Sequence, residues 1–111
     1  MKHLPNEISV LTQRFGGLIV GSAAHPKVYI QTCRDFDIVF PYDRWENAAA
    51  YLADIDKVKI EPNRFGGWKV LTKELVEMDC WPGNIHEMME RGVFQYFWSP
   101  HYNLRYKLEK Q

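Results

Sequence analysis

Asp35 and Asp37 stand two residues apart in the run Asp35-Phe36-Asp37-Ile38-Val39-Phe40. If that run is a strand, side chains two apart share one face, and the two carboxylates point the same way. Like charges that close resist ionisation in each other's presence, and a divalent cation relieves the repulsion. Mg²⁺ prefers carboxylate and phosphate oxygens, so it suits such a pair. Upstream, Gly21-Ser22 follows the apolar run Leu18-Ile19-Val20. A glycine turn at a strand end exposes backbone N–H groups that can hold an anion. A twelve-residue connector, Ala23 to Arg34, separates the two features. An anion cradle followed by a cation-binding pair matches the needs of a nucleoside triphosphate with its metal.

These residues must be positioned by strands, turns and short helices. Ile8, Leu11 and Phe15 recur at three- and four-residue spacing after Pro5, which predicts a short helix over Pro5 to Arg14, closed by Gly16-Gly17. Leu18-Ile19-Val20 reads as a fully buried strand, and Ala23 to Cys33 as a turn plus a short helix. Phe36 to Phe40 is a second strand, closed by Pro41. Asp43 as N-cap, with Glu46 three residues on, predicts a helix to about Ile55 whose apolar stripe is Trp45, Ala48, Ala49 and Leu52. Val58 to Ile60 and Trp68 to Leu71 form a hairpin around the turn-rich Glu61 to Gly67. Leu75 to Trp81 is a further strand, and Asn84 caps a helix from Ile85 to Arg91, ended by Gly92. Val93 to Trp98 is an apolar strand or buried segment, and the basic, alternating Asn103 to Gln111 an edge strand. The fold class expected is α+β, a small mixed sheet with helices packed mainly on one face.

The order of the motifs resembles the nucleotidyltransferase superfamily, the DNA polymerase beta-like fold. The family pattern is a hydrophobic residue, Gly, Gly or Ser, a spacer of about a dozen residues, then Asp-hydrophobic-Asp-hydrophobic; a third acidic residue between hydrophobic neighbours follows on a later strand. Val20-Gly21-Ser22 and Asp35-Phe36-Asp37-Ile38 carry the first two elements, and Asp79 between Met78 and Cys80 carries the third. The spacing is nearest to the poly(A) polymerase and CCA-adding branch. That branch usually has Arg-Asp shortly after its paired glycines, where this chain has Ala24-His25-Pro26. The resemblance covers Leu18 to Trp81 and implies a single minimal domain over residues 1–111. It implies Mg²⁺ or Mn²⁺ on Asp35, Asp37 and Asp79, and backbone contacts from Gly21 and Ser22 to the phosphates of an NTP, with ATP expected. Asp79 would bind metal or accept the proton of the attacking hydroxyl. Larger members add a domain that selects the acceptor; nothing here corresponds to it. The module would therefore use a partner subunit, a second copy as a homodimer, or a small acceptor. The acceptor classes are an RNA end, a small molecule or a partner protein. The alternative is a catalytically silent domain of the same type, acting as a binding or inhibitory protein.

Composition limits the other classes. The chain has 111 residues, 46% of them hydrophobic, with 14 Lys and Arg against 14 Asp and Glu. One ordinary core is expected, and a balanced charge argues against coating nucleic acid by electrostatics alone. No apolar run approaches the ~18 residues of a membrane span, and no apolar signal core opens the sequence, so no membrane partner and a cytoplasmic location are expected. Cys33 and Cys80 form no Cys-x-x-Cys pattern and read as small buried apolar residues. The four histidines lack metal-ligand spacing; His25, three residues past Gly21-Ser22, reads as a helix-start side chain more readily than as a phosphate contact. Tyr96, Phe97, Trp98 and Tyr102 could stack on bases, although such runs more often belong to a core. Arg14-Phe15-Gly16-Gly17 recurs as Arg64-Phe65-Gly66-Gly67, expected as two independent entries into strands.

Overall fold

The computed structural model describes residues 4–26 and 33–100, and the backbone of 104–107. The expected α+β architecture is observed. Among the described residues it comprises α1 (Asn6–Gln13), β1 (Leu18–Val20), a 3₁₀ turn (Gly21–Ala24), β2 (Asp35–Phe40), α2 (Tyr42–Asp54), β3 (Lys57–Pro62), β4 (Trp68–Thr72), β5 (Glu77–Pro82), α3 (Ile85–Arg91), β6 (Tyr96–Ser99) and β7 (Leu104–Lys107). The strands form one mixed sheet in the order β3-β4-β5-β2-β1-β6-β7. Only β2 and β5 pair in parallel; the other neighbours are antiparallel. A parallel pair needs a long crossover, and α2 with the β3–β4 hairpin supplies it.

Period-two alternation assigns the side chains of β2 to opposite faces. Phe36, Ile38 and Phe40 are fully buried and pack with Ile8 and Leu11 of α1 and Ala48 and Leu52 of α2. Ile19, Val70, Met78 and Cys80 complete that core. On the opposite face Val39 packs with Leu18, Val20, Trp81 and Phe97, beneath Ile85, Met88 and Met89 of α3 and Phe94. Two helices thus cover one face, and the short α3 covers only part of the other. Asp35 and Asp37 lie on the incompletely covered face and keep access to water, Asp35 exposed and Asp37 half-buried.

Several boundaries follow local chemistry. The side chain of Asn84 caps α3, accepting from Glu87 N at 3.1 Å, and Gly92 closes it in the left-handed conformation with φ 64°, as the sequence predicts. For α2 the expected Asp43 cap is corrected. Pro41, with φ −57°, holds the cap position without a side-chain hydrogen bond, and Asp43 sits within the first turn. Proline pre-sets that φ, and an acid in the first turn still favours the helix dipole. The strand expected from Leu75 begins at Glu77 instead. Thr72 O accepts from Leu75 N, and Thr72 Oγ1 accepts from Val76 N, so a turn consumes both residues and Leu75 takes φ 64°. The helix expected within Ala23 to Cys33 is, where described, a 3₁₀ turn ending at Ala24; residues 27–32 lie outside the described residues, as does Tyr102. No helix among the described residues is long and apolar enough to cross a membrane.

The repeated Arg-Phe-Gly-Gly segments are two strand entries, before β1 and before β4. Each arginine lies over its neighbouring phenylalanine ring, at 5.4 Å for Arg14 and 5.2 Å for Arg64. Gly67 passes against the β5 backbone, and a Cβ there would land on the Cys80 carbonyl oxygen.

Candidate functional site: an acidic row across the sheet

The parallel register of β2 and β5 brings the candidate acids together. Asp37 pairs with Asp79, and Asp35 with Glu77. Since strands lie about 4.8 Å apart, Asp37 and Asp79 are immediate cross-strand neighbours on one face. The row continues in both directions: Asp79 pairs with Lys69 of β4, Lys69 with Glu61 of β3, and Asp37 with Val20 of β1. Gly21 follows Val20 directly. Its φ is +74°, and a Cβ on it would lie 3.2 Å from Asp37 Oδ2 and 3.8 Å from the Phe94 ring. The glycine turn expected from sequence therefore abuts the Asp37 carboxylate. Ser22 is exposed within the same 3₁₀ turn.

The electrostatics of the row follow from this packing. Burial, then Asp35 and Asp79, push the Asp37 carboxyl up from an ordinary 3.8 to about 6, against a lowering effect of Lys69. Asp35 is also raised, by burial first and then by Glu77. Lys69 forms an ion pair with Glu77 at 3.3 Å, and its own pKa is raised chiefly by that hydrogen bond. Among the described residues, Lys69 thus faces the carboxylates of Asp35, Asp37, Asp79, Glu77 and Glu61, and the excess negative charge appears as the raised carboxyls of Asp35 and Asp37.

Asp79 is held by the turn between β3 and β4. Asn63 Nδ2 donates to Asp79 Oδ1 at 2.5 Å and to the Cys80 carbonyl at 3.1 Å, while Asn63 Oδ1 accepts from Phe65 N and Gly67 N. The structure thus places all three predicted acids on one face, in adjacent positions of two strands. It does not close them around a point: among the described residues, no three or more His, Cys, Asp or Glu side chains are arranged to hold a metal ion as they stand. The donor set consists of oxygen alone and carries uncompensated charge. Both properties fit Mg²⁺, which retains waters and takes only one or two carboxylates.

Sequence reasoning missed Lys69, Glu77 as a contributor, Asn63 and Phe94. Lys69 and Asn63 reach the row only through the hairpin register, which no local pattern encodes. The remaining candidates fall elsewhere. His25 packs its ring on Tyr96, with centroids 4.4 Å apart. Phe97 and Trp98 are buried in the two cores, so they form no base-stacking surface. Cys80 is fully buried and its thiol is raised by burial, then by Asp79 and Asp37, which leaves it unreactive. Cys33 Sγ donates to Asp35 O at 3.3 Å. In comparisons with protein-family models, curated proteins and solved structures, the chain has no match.

Proposed function

We propose that the chain performs metal-dependent nucleotidyl transfer: an acceptor hydroxyl attacks the α-phosphate of an NTP, with ATP expected, the bond between the α- and β-phosphates breaks, and pyrophosphate leaves. The observation that carries this reading is the in-register pairing of Asp37 with Asp79, with Asp35 on the same face and the Gly21 turn against Asp37 Oδ2. Asp35, Asp37 and Asp79 would hold Mg²⁺ or Mn²⁺, which when bound supplies neutralisation of charge on phosphate oxygens. The backbone N–H groups of Gly21 and Ser22 orient the outer phosphates. Asp79, oriented by Asn63, takes the proton of the attacking hydroxyl. The contribution of the protein is positioning and charge placement, with no covalent nucleophile. The acceptor is an RNA end, a small molecule or a partner protein, gripped by a second copy or a partner subunit.

A second reading is a silent domain that binds or inhibits a partner. It is favoured by Lys69 and Asn63, which give the row protein partners without any ion. A thermal scan with Mn²⁺ and an NTP separates the two. Transfer chemistry requires a rise in melting temperature with metal, larger with nucleotide; no shift at millimolar concentrations of both supports the silent domain.

A further inference from the structure

Beside the acidic row, on the same face, lies a cleft of about 320 Å³ lined by Phe65, Trp81, Phe94, Tyr42, Asn84 and Arg91 among others. We propose that this cleft is a subsite for a nucleobase; that the base belongs to the transferred nucleotide rests on the transfer reading above. The volume falls at the lower end of small-molecule sites, too small for a folded partner and suited to one flat ring. Three aromatic rings build the wall. Trp81 lies between Phe65, at 4.9 Å, and Phe94, at 6.0 Å between centroids. Phe65 is 43% exposed although large and apolar, and Tyr42 at the rim is 68% exposed. Base stacking on such rings is favourable for every base, because each has a π-face.

Three observations tie the cleft to the row. Trp81 stands two residues beyond Asp79 on one face of β5, about 6.6 Å along the strand, a step comparable to the sugar between a base and its phosphate. Phe94 and Asp37 Oδ2 flank the same glycine, Gly21. The turn that carries Phe65 also carries Asn63, which holds Asp79. Arg91 lines the cleft together with Glu87, to which it is ion-paired at 3.8 Å, and Arg64 lies over one face of Phe65, so the rim is charge-balanced and suits a neutral ring. Asn84 Oδ1 is taken up in capping α3, so its amide N–H₂ is the polar group it offers to the acceptors of a base. These residues come from a turn, a strand, the start of α2, and α3 with its flanking loops, so no sequence run announces the surface.

The test uses adenosine, which has neither phosphate nor need of metal, titrated into the full chain in EDTA and followed by NMR shifts. Adenosine is expected to bind at millimolar concentration, with the perturbed resonances in the cleft. Phe65→Ala, on an exposed ring, should weaken binding fivefold or more, and Phe65→Tyr should restore it. Absence of adenosine binding, or affinity unaffected by Phe65→Ala, overturns the subsite. A parallel Mn²⁺ titration keeps the two ideas apart. Adenosine binding without Mn²⁺ binding leaves the cleft standing and removes the transfer reading; Mn²⁺ binding without adenosine binding does the reverse.

Discussion

Asp37 and Asp79 occupy the same register position on the two parallel strands of the sheet, so the row cannot be fully ionised without repulsion. Burial and these neighbours raise Asp37 to about 6. A carboxyl raised in the fold is protonated there while ionised in the unfolded chain, so its stabilising contribution is complete below about pH 4 and lost as pH rises through about 6. Asp37→Asn should therefore match the wild type near pH 4 and exceed it above pH 7. The gain expected, after allowing for solvent screening of a half-buried carboxylate, is on the order of 1–2 kcal/mol. Urea unfolding of both proteins across this range measures it; equal stability at pH 8 contradicts the assignment.

Metal binding must displace the same proton. At pH 6, near the raised value of Asp37, binding of Mn²⁺ should release about half a proton from that site, and almost none at pH 8. Calorimetry in two buffers of different ionisation enthalpy reads the number directly. No dependence of proton release on pH would place the metal elsewhere.

Asn63 joins the β3–β4 turn to Asp79 through both ends of its amide. Asn63→Ala should cost about 1–3 kcal/mol, since it removes these hydrogen bonds and leaves the partly buried Gly67 N–H without its acceptor. It should also lower Mn²⁺ affinity by freeing Asp79. Denaturant unfolding and the metal titration measure the two effects. A variant that loses stability but keeps full metal affinity shows that Asn63 only shapes the turn.

Gly21 has φ +74°, and a Cβ on it would sit 3.2 Å from Asp37 Oδ2, closer than an ordinary contact. Gly21→Ala should lose about 1–2 kcal/mol from the left-handed backbone and crowd the carboxylate, weakening triphosphate affinity as well. Thermal unfolding and nucleotide titration check both; unchanged nucleotide affinity removes the turn from the site.

The sequence made some of this legible and hid the rest for physical reasons. The spacing of Asp35 and Asp37 predicts a shared face because strand geometry is local, and Asn84 and Gly92 bound α3 because caps are local chemistry. The register that sets Asp79 beside Asp37 is not local, as β2 and β5 meet only after α2 and a hairpin intervene. Asp79 came from its flanking apolar residues and a family resemblance. Lys69 and Asn63 had no signal at all. Pro41 displaced the expected Asp43 cap because a fixed φ beside the strand end starts the helix at once. Tyr96 to Trp98 reads as a stacking run, yet β6 inserts between β1 and β7 and buries Phe97 and Trp98; the exposed aromatics at the cleft are Phe65, in a turn, and Tyr42, at the start of α2.

The central claim is that the acidic row drives transfer of a nucleoside monophosphate. Incubating the chain with Mg²⁺, a total RNA and protein extract, and ATP labelled at either the α- or the γ-phosphate tests it directly. Label from the α-phosphate should enter an acceptor, label from the γ-phosphate should not, and a folded Asp37→Asn protein should transfer neither, because the amide lacks the charge the metal needs. Full α-label transfer by folded Asp37→Asn, or no α-label transfer by the wild type in the presence of metal and extract, contradicts the account.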